Sequence, residues 1–313
     1  MDSNKQSLSL IVPVYFNEGS IPALYEEVKK LESDLLATHN MLLELIFIDD
    51  GSGDRSFEEL MKVRSSRPGT KVIKLTRNFG SVEASSLGFH YASGDCCSVI
   101  AADLQDPPNQ LLTMVGEWKK GNKFVLSRRR SRKDPLSTKI FAKLYYFAVD
   151  LFVFKNYPKG GFDLMLFDTQ IPPYLRNLNG KVNYQLYLIW LGFAPTILES
   201  DRQERQQGKS RWTFAKKFDH FINSIAGFSV KPLRLISGLG MVVSMLSFSY
   251  GLFVFVMALI HHDRIPGFAA IYVLISFFGG LLVAMLAIIG EYIWRIFELA
   301  NQKPTRVIDE TYL

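Results

Sequence analysis

The chain has 313 residues, 48% of them hydrophobic, and a formal net charge of +6. Its mean hydropathy of +0.09 is high for a soluble protein and leaves room for one good core plus long apolar runs. The only two cysteines, Cys96 and Cys97, are adjacent in an apolar run; they exclude a disulfide framework and suit packing in a reducing compartment.

The polar start, MDSNKQS, leads into a short strand and does not read as a signal peptide. Leu8–Val14 reads as a buried strand. Ser20–Ala37 reads as a helix with Ser20 as its cap and Pro22 in its first turn. Leu42–Asp49 is a strand, Phe57–Ser65 a helix and Lys71–Leu75 a strand. Ser81–Ala92 is a helix closed by Gly94. Cys96–Ala102 is a strand, Gln110–Lys120 a helix and Lys123–Ser127 a strand. This alternation predicts an α/β fold, a mostly parallel sheet with helices on both faces. In such sheets ligands sit at the carboxyl ends of the strands.

The polar residues fall at those ends: PVYFNE, DDGSGD, TRNFG, ADLQD and SRRR close the five strands in turn. Asp-Gly-Ser is good turn chemistry anywhere, but five such ends in a row predict one cleft. Asp103 at a strand tip and Gln105 two residues on can turn oxygens into one space. A carboxylate plus an amide carbonyl suits a hard divalent ion, Mg²⁺ or Mn²⁺, with room left for water and phosphate oxygens. Pro107 and Pro108 stiffen the exit. The five histidines are scattered or lie in the His261–His262 pair, so no zinc cluster is indicated.

Two uncharged runs of 26 residues follow, Leu235–Ile260 and Ile265–Gly290. As helices each is about 39 Å long against a hydrocarbon layer of about 30 Å, so both can span with tilt. The short link makes them an antiparallel hairpin. Lysines and arginines outside its ends (Lys216, Lys217, Lys231 and Arg234 before, Arg295, Lys303 and Arg306 after) put both termini in the cytoplasm. In Arg211–Arg234, Phe214, Phe218, Phe221, Ile222 and Ile225 fall on one helical side with Lys216 and Lys217 elsewhere. That pattern is an interfacial helix or a linker helix packed on the preceding domain. The aromatic stretch Ser137–Phe154 fits either a core or a bilayer surface. The basic runs near Arg128 and from Arg202 to Arg234 favour membrane and phosphate over nucleic acid.

The motifs IVPVYFNE, IDDGSGD, RNFG, ADLQDPP and RQERQQGKSRW, followed by two apolar runs, resemble the polyisoprenyl-phosphate glycosyltransferases of glycosyltransferase family 2. Dolichol-phosphate mannose synthase and the bactoprenol glucosyltransferases are among them. The resemblance implies a GT-A (Rossmann-like) catalytic domain over 1–210, a juxtamembrane helix over 211–231, a two-helix transmembrane hairpin over 232–295 and a cytoplasmic tail over 296–313. It implies nucleotide contacts from Pro13, Tyr15, Glu18, Asp49, Asp50, Arg77, Ala101 and Ala102, with Asp50 reading the base. Asp103 and Gln105 match the metal-holding pair. Arg128 matches an arginine near the diphosphate, and Arg205 and Arg211 match the basic loop before the membrane. Asp103, Arg128 and Asp163 form the implied catalytic set. Phe16 is inserted in the usual first motif, Ala101 replaces a common acid, and Asp163 stands where arginine is common. These departures mark a subgroup with its own sugar handling.

The implied reaction moves a hexose, glucose from UDP-glucose by preference, from a nucleotide-sugar donor to undecaprenyl or another polyprenyl phosphate with inversion. Mg²⁺ or Mn²⁺ is the implied cofactor. UDP-N-acetylhexosamine, UDP-aminoarabinose and GDP-mannose stay open as donors. Asp163 either contacts sugar or acceptor or caps local structure. The implied place is the inner membrane, multi-pass, and a homo-oligomer such as a tetramer is admitted. A membrane transport or scaffold protein with a nucleotide-binding domain is the rival of another class. A membrane-anchored dehydrogenase would need a G-x-G-x-x-G turn where PVYFNEGS stands.

Overall fold

The computed structural model describes residues 5–105, 108–129, 136–154, 162–176, 184–200, 221–222, 224–225, 227–260, 268–300 and 304–313. Strand β1 (Ser7–Val14) alternates its two faces, as a strand must. Leu8, Leu10, Val12 and Val14 enter one hydrophobic core, while Ile11 meets the opposite layer. Helix α1 (Ile21–His39) covers the first face with Ile21, Leu24, Val28, Leu31 and Leu35, all buried. That spacing is one stripe of a 3.6-residue helix, and burying each such side chain contributes roughly 1.5–3 kcal/mol before chain entropy is subtracted.

The start of α1 is at Ser20 as expected, but its hydroxyl does not cap the helix. It donates instead to the Asn17 carbonyl at 3.2 Å. The helix ends at Asn40, left-handed at φ 50°. The Asn40 and Met41 amides donate back to the Leu36 and Leu35 carbonyls, a closure that frees the chain to enter β2.

Strand β2 (Leu42–Asp49), helix α2 (Ser56–Ser66), strand β3 (Lys71–Leu75), helix α3 (Ser81–Tyr91) and strand β4 (Cys96–Val99) follow. β4 is shorter than its apolar run. The Ile100 amide still donates to the Ile11 carbonyl at 3.0 Å, but Ala101 and Ala102 already lie outside the strand. Helix α4 (Gln110–Lys119), strand β5 (Phe124–Arg129), helix α5 (Leu136–Phe152), strand β6 (Phe162–Asp168), the short helices α6 (Pro172–Arg176) and α7 (Tyr184–Trp190), and strand β7 (Thr196–Ser200) complete this part of the chain.

The sheet has the order β7-β5-β6-β4-β1-β2-β3-β8, where β8 is Ile308–Tyr312. β1–β2, β1–β4, β2–β3 and β5–β7 are parallel. β4–β6, β5–β6 and β3–β8 are antiparallel. The mostly parallel α/β sheet is therefore present, with β6 inserted in reverse and the last strand returning to the β3 edge. α1, α2 and α4 share the core on one face. α3 lies on the other, where Gly88 sits so close to Ile11 that a side chain there would overlap it. Residues Met1–Asp150, Phe154–Ser224 and Pro304–Leu313 form one compact unit, and Leu151–Val153 with Ile225–Lys303 form a second.

The second unit carries two long helices, Lys231–Ile260 and Phe268–Ala300, over the two uncharged runs. Among the described residues one stretch, Phe277–Trp294, has the length and apolarity to cross a membrane, with mean hydropathy 1.8 and none of it buried. The first long helix supplies no such stretch among the described residues, so of the two expected spans the structure supports one.

Candidate functional site

The parallel strands bring their carboxyl ends to one rim. β5 runs in the same sense as β4, because each is antiparallel to β6, so β6 begins where β4 and β5 end. The rim therefore carries, strand by strand, Tyr15 after β1, Asp49 and Asp50 at the end of β2, Arg77 after β3, Ala101 to Gln105 after β4, Arg128 on β5, and Asp163 at the start of β6. The five polar strand ends predicted to share one cleft therefore lie along one edge of the sheet.

Two loops at this rim are laced together by side chains. The Phe16 amide donates to Ser52 Oγ at 3.1 Å and the Asn17 amide to Ser56 Oγ at 2.8 Å. In return Glu18 Oε2 accepts from the Arg55 amide at 2.9 Å. Asn17 Oδ1 accepts the Tyr15 amide at 3.0 Å. The inserted Phe16 takes φ 56°, a left-handed conformation that is costly for a side chain of this size. It leaves Tyr15 and Phe16 partly exposed, their rings edge to face at 4.7 Å. Pro13 is half-buried within β1.

Asp49 and Asp50 are not open ligands. Asp49 is fully buried; its Oδ1 accepts from the Ser52 amide at 3.2 Å, and its Oδ2 has no hydrogen-bond partner among the described residues. Burial raises its pKa, against the lowering effect of Ser52. Asp50 is 2% exposed. Its two oxygens accept the amides of Phe79 and Gly80 at 2.7 and 2.9 Å. Burial pushes this carboxyl up to about 6, although both amides favour the ionised form. Asp50 thus pins the turn between β3 and α3. Gly51 completes the joint: at φ 67°, an added Cβ would fall 2.6 Å from Arg77 Cα and 2.8 Å from the Asn78 nitrogen. Arg77 is exposed, with its guanidinium 4.3 Å from the Phe79 ring centroid.

At the tip of β4, Leu104 is left-handed at φ 59°. This bend folds the chain so that Asp103 Oδ1 accepts the Gln105 amide at 3.3 Å. Asp103 and Gln105 are both half-buried, whereas Ala102 belongs to the core and Ala101 is half-buried. No group of three or more His, Cys, Asp or Glu side chains placed to hold a metal ion occurs among the described residues. One carboxylate and one amide at a rim still fit Mg²⁺ or Mn²⁺, since such ions are commonly bound by one or two carboxylates plus substrate phosphates and water. Across β6, Arg128 pairs with Glu199 of β7 at 2.9 Å. The Asp163 backbone lies in β6, and its side chain, with Arg205 and Arg211, falls outside the described residues.

Sequence reasoning missed two charged groups near this rim. Glu83, in the first turn of α3, is largely buried. Burial pushes its carboxyl up to about 7, against the Arg306 charge and the Thr305 hydroxyl. Arg306 reaches it from the C-terminal segment. Glu83 lies three residues after RNFG, within reach of the motif already singled out; nothing in the local pattern around Arg306 announces its partner.

Residues 9–174 match the family model Glycosyl transferase family 2. The chain is 33% identical over 306 residues to the uncharacterized glycosyltransferase YkcC of Bacillus subtilis (strain 168), covering 97% of this chain and 94% of that one. It is 30% identical over 310 residues to the prophage bactoprenol glucosyl transferase homolog of Escherichia coli (strain K12), covering 96% and 98%. Among solved structures, glucosyl-3-phosphoglycerate synthase from Mycobacterium tuberculosis, in complex with Mn²⁺, UDP-glucose and phosphoglyceric acid, aligns with a TM-score of 0.47 at 15% identity over 71% of this chain and 78% of that one.

Proposed function

The chain belongs to glycosyl transferase family 2, and from that premise we propose that it moves a hexose from a nucleotide diphosphate onto a polyprenyl phosphate at a membrane surface. It is a glycosyltransferase with a GT-A-like sheet, which removes the transport and dehydrogenase alternatives. The observation that carries the finer reading is the extent of one likeness. Identity to the bactoprenol glucosyl transferase homolog runs over 96% of the chain, and so through the long helices as well as the sheet. The apolar stretch Phe277–Trp294 supports an acceptor held in a bilayer. The two-span hairpin with both termini cytoplasmic remains part of this proposal.

The acceptor phosphate oxygen is already ionised near neutral pH, so the site needs no strong general base. Its oxygen attacks the sugar's anomeric carbon as the bond to the diphosphate breaks, and direct displacement inverts that carbon. The difficulty is charge: two anions meet, and the leaving diphosphate gains negative charge. Fixed dipoles and cations aimed at that charge are commonly the largest part of catalysis. In this reading Arg128 exchanges Glu199 for the diphosphate, and Arg205 and Arg211 bring further positive charge to it or to the acceptor. Asp103 and Gln105 would hold Mg²⁺ or Mn²⁺, which when bound neutralises the diphosphate as a Lewis acid. Tyr15, Arg77 and the loop of Glu18 would line the nucleotide. Asp50 would act by holding the Phe79–Gly80 turn in place, with lone pairs left for one donor from the base. Asp163 would orient sugar or acceptor.

UDP-glucose is the proposed donor. The test is incubation of purified protein with undecaprenyl phosphate, Mg²⁺ or Mn²⁺ and a panel of labelled sugar nucleotides. Label entering the organic phase from UDP-glucose supports the reading. Label from UDP-N-acetylhexosamine, UDP-aminoarabinose or GDP-mannose keeps the reaction and replaces the donor. No lipid-soluble label from any donor refutes it.

A further inference from the structure

The end of the chain is joined to the rim through α3. β8 pairs with β3 from Val72↔Tyr312 to Leu75↔Ile308, and the Thr76 amide donates to the Val307 carbonyl at 3.1 Å. One residue earlier, Arg306 turns onto α3. Its Nη1 donates to Ser86 Oγ at 2.8 Å; its Nη2 donates to the Arg176 carbonyl at 2.9 Å and meets His90 Nε2 at 2.8 Å. Glu83 Oε2 lies 3.8 Å from Nη1, and the two charged side chains are 12% and 16% exposed. The planar fork of arginine is used on several partners at once, which a lysine cannot reproduce.

These partners are themselves tied. Ser86 Oγ donates to the Leu175 carbonyl at 2.9 Å, and Arg176 Nε donates to the Phe89 carbonyl at 2.8 Å. Arg306 therefore locks the C-terminal segment, α3 and α6 at one point. α3 starts at Ser81, directly after the Gly80 whose amide, with that of Phe79, holds Asp50. A displacement of α3 reaches that turn, and Arg77 beside it, with no loop between to absorb it.

We propose that Arg306 is a positioning residue for donor binding: seated among Glu83, Ser86, His90 and the Arg176 carbonyl, it fixes α3 and so the Phe79–Gly80 turn that Asp50 and Arg77 share. The inference rests on the rim being the nucleotide-sugar site. Removing the guanidinium breaks its bonds to Ser86 Oγ and the Arg176 carbonyl and its contact with His90, and takes away the cation that favours the ionised Glu83 carboxyl. Buried partners left without their donor are costly, and here the cost falls on the helix that starts at the turn. A buried carboxyl without its cation takes up a proton rather than stay charged, so near neutral pH Glu83→Gln changes little further.

The test uses the full chain in detergent or nanodiscs, with donor KM, acceptor KM, kcat and Tm measured for wild type, Arg306→Ala, Arg306→Lys and the double variant Arg306→Ala/Glu83→Gln. The expected result is a donor KM raised about tenfold in Arg306→Ala, with kcat within threefold and acceptor KM unmoved. Glu83→Gln in the same chain leaves the donor KM raised, because the lost hydrogen bonds and not the Glu83 charge set it. Arg306→Lys lies between, and carries the comparison if Arg306→Ala does not fold. A donor KM within twofold of wild type in every folded variant overturns the inference even if Tm falls, as does an acceptor KM that rises as much as the donor KM, since both mark a clamp that serves the fold alone. Wild-type protein that takes up no nucleotide sugar overturns the functional reading instead.

Discussion

Replacing Asp50 with Asn separates charge from geometry at the best-defined joint of the site. The carboxylate accepts two amides at 2.7 and 2.9 Å while 2% exposed. Its pKa of about 6 means that at pH 7 ionisation is favoured by only about 1.4 kcal/mol. Charge is therefore a minor part of what the residue supplies. The larger part is a second acceptor, which Asn lacks: its amide nitrogen would face the Phe79 or the Gly80 N–H. Orphaning one buried donor costs about 1–3 kcal/mol, which in a domain of this size lowers Tm by about 2–12 °C. If about two-thirds of that cost falls on the turn in the donor complex, donor KM rises roughly 3- to 30-fold, at about 1.4 kcal/mol per tenfold. Differential scanning fluorimetry and steady-state kinetics on the full chain measure both. A variant with Tm within 1 °C and donor KM within twofold of wild type would show that the Asp50 staple does not organise the site.

Asp103→Ala is expected to reduce transfer at least about 100-fold, the scale of removing one electrostatic contributor, with Tm unchanged because the side chain stands at the rim; wild type treated with EDTA should lose label transfer and regain it with Mg²⁺ or Mn²⁺. Gly51→Ala places a methyl group against the Arg77 backbone at φ 67°, so a fall in Tm of more than about 5 °C and a loss of donor binding are expected in a thermal melt and a titration with UDP. The raised Glu83 pKa, about 7, makes the folded chain hold a proton more tightly than the unfolded one. Its stabilising contribution is full below the unfolded value of about 4.3 and is lost as pH rises through 7. Glu83→Gln should therefore gain on wild type between pH 5 and pH 8, by up to about 3 kcal/mol, read as a Tm difference that grows with pH; a constant difference would contradict the burial argument.

The first half of the fold was legible because its signals are local. Leu42–Asp49 and Lys71–Leu75 are strands over the expected residues, since each is a short apolar run bounded by turn residues. The polar strand ends told where a cleft would lie, because parallel strands all deliver their last residues to one edge. β6 and β7 were not assigned: an apolar run such as Phe162–Asp168 does not state which neighbour it pairs with or in which direction. β8 carries no apolar alternation, being mostly exposed, and it is a strand only because the β3 edge is there to receive it. Left-handed Leu104 was equally hidden, since nothing about leucine predicts φ 59°. Arg306 and Ser86 are 220 residues apart in sequence, beyond any periodic signal.

The return of the chain end to β3 has a physical logic that joins fold and site. β3 would otherwise be the edge of the sheet, with one row of backbone groups unpaired, which is an invitation to pairing with other chains. A short, exposed, charged strand closes that edge: Lys74 bonds Glu310 at 2.9 Å and Asp309 at 3.3 Å. β3 is also the strand whose exit carries Arg77 and the Phe79–Gly80 turn, so the pairing steadies the part of the rim that has the fewest sheet neighbours. Asp50 holds that turn from the β2 side and Arg306 holds α3 behind it. The site reading thus depends on residues from both ends of the sequence, and a chain lacking its last ten residues should retain the core of β1, β2 and β4 while losing donor affinity first.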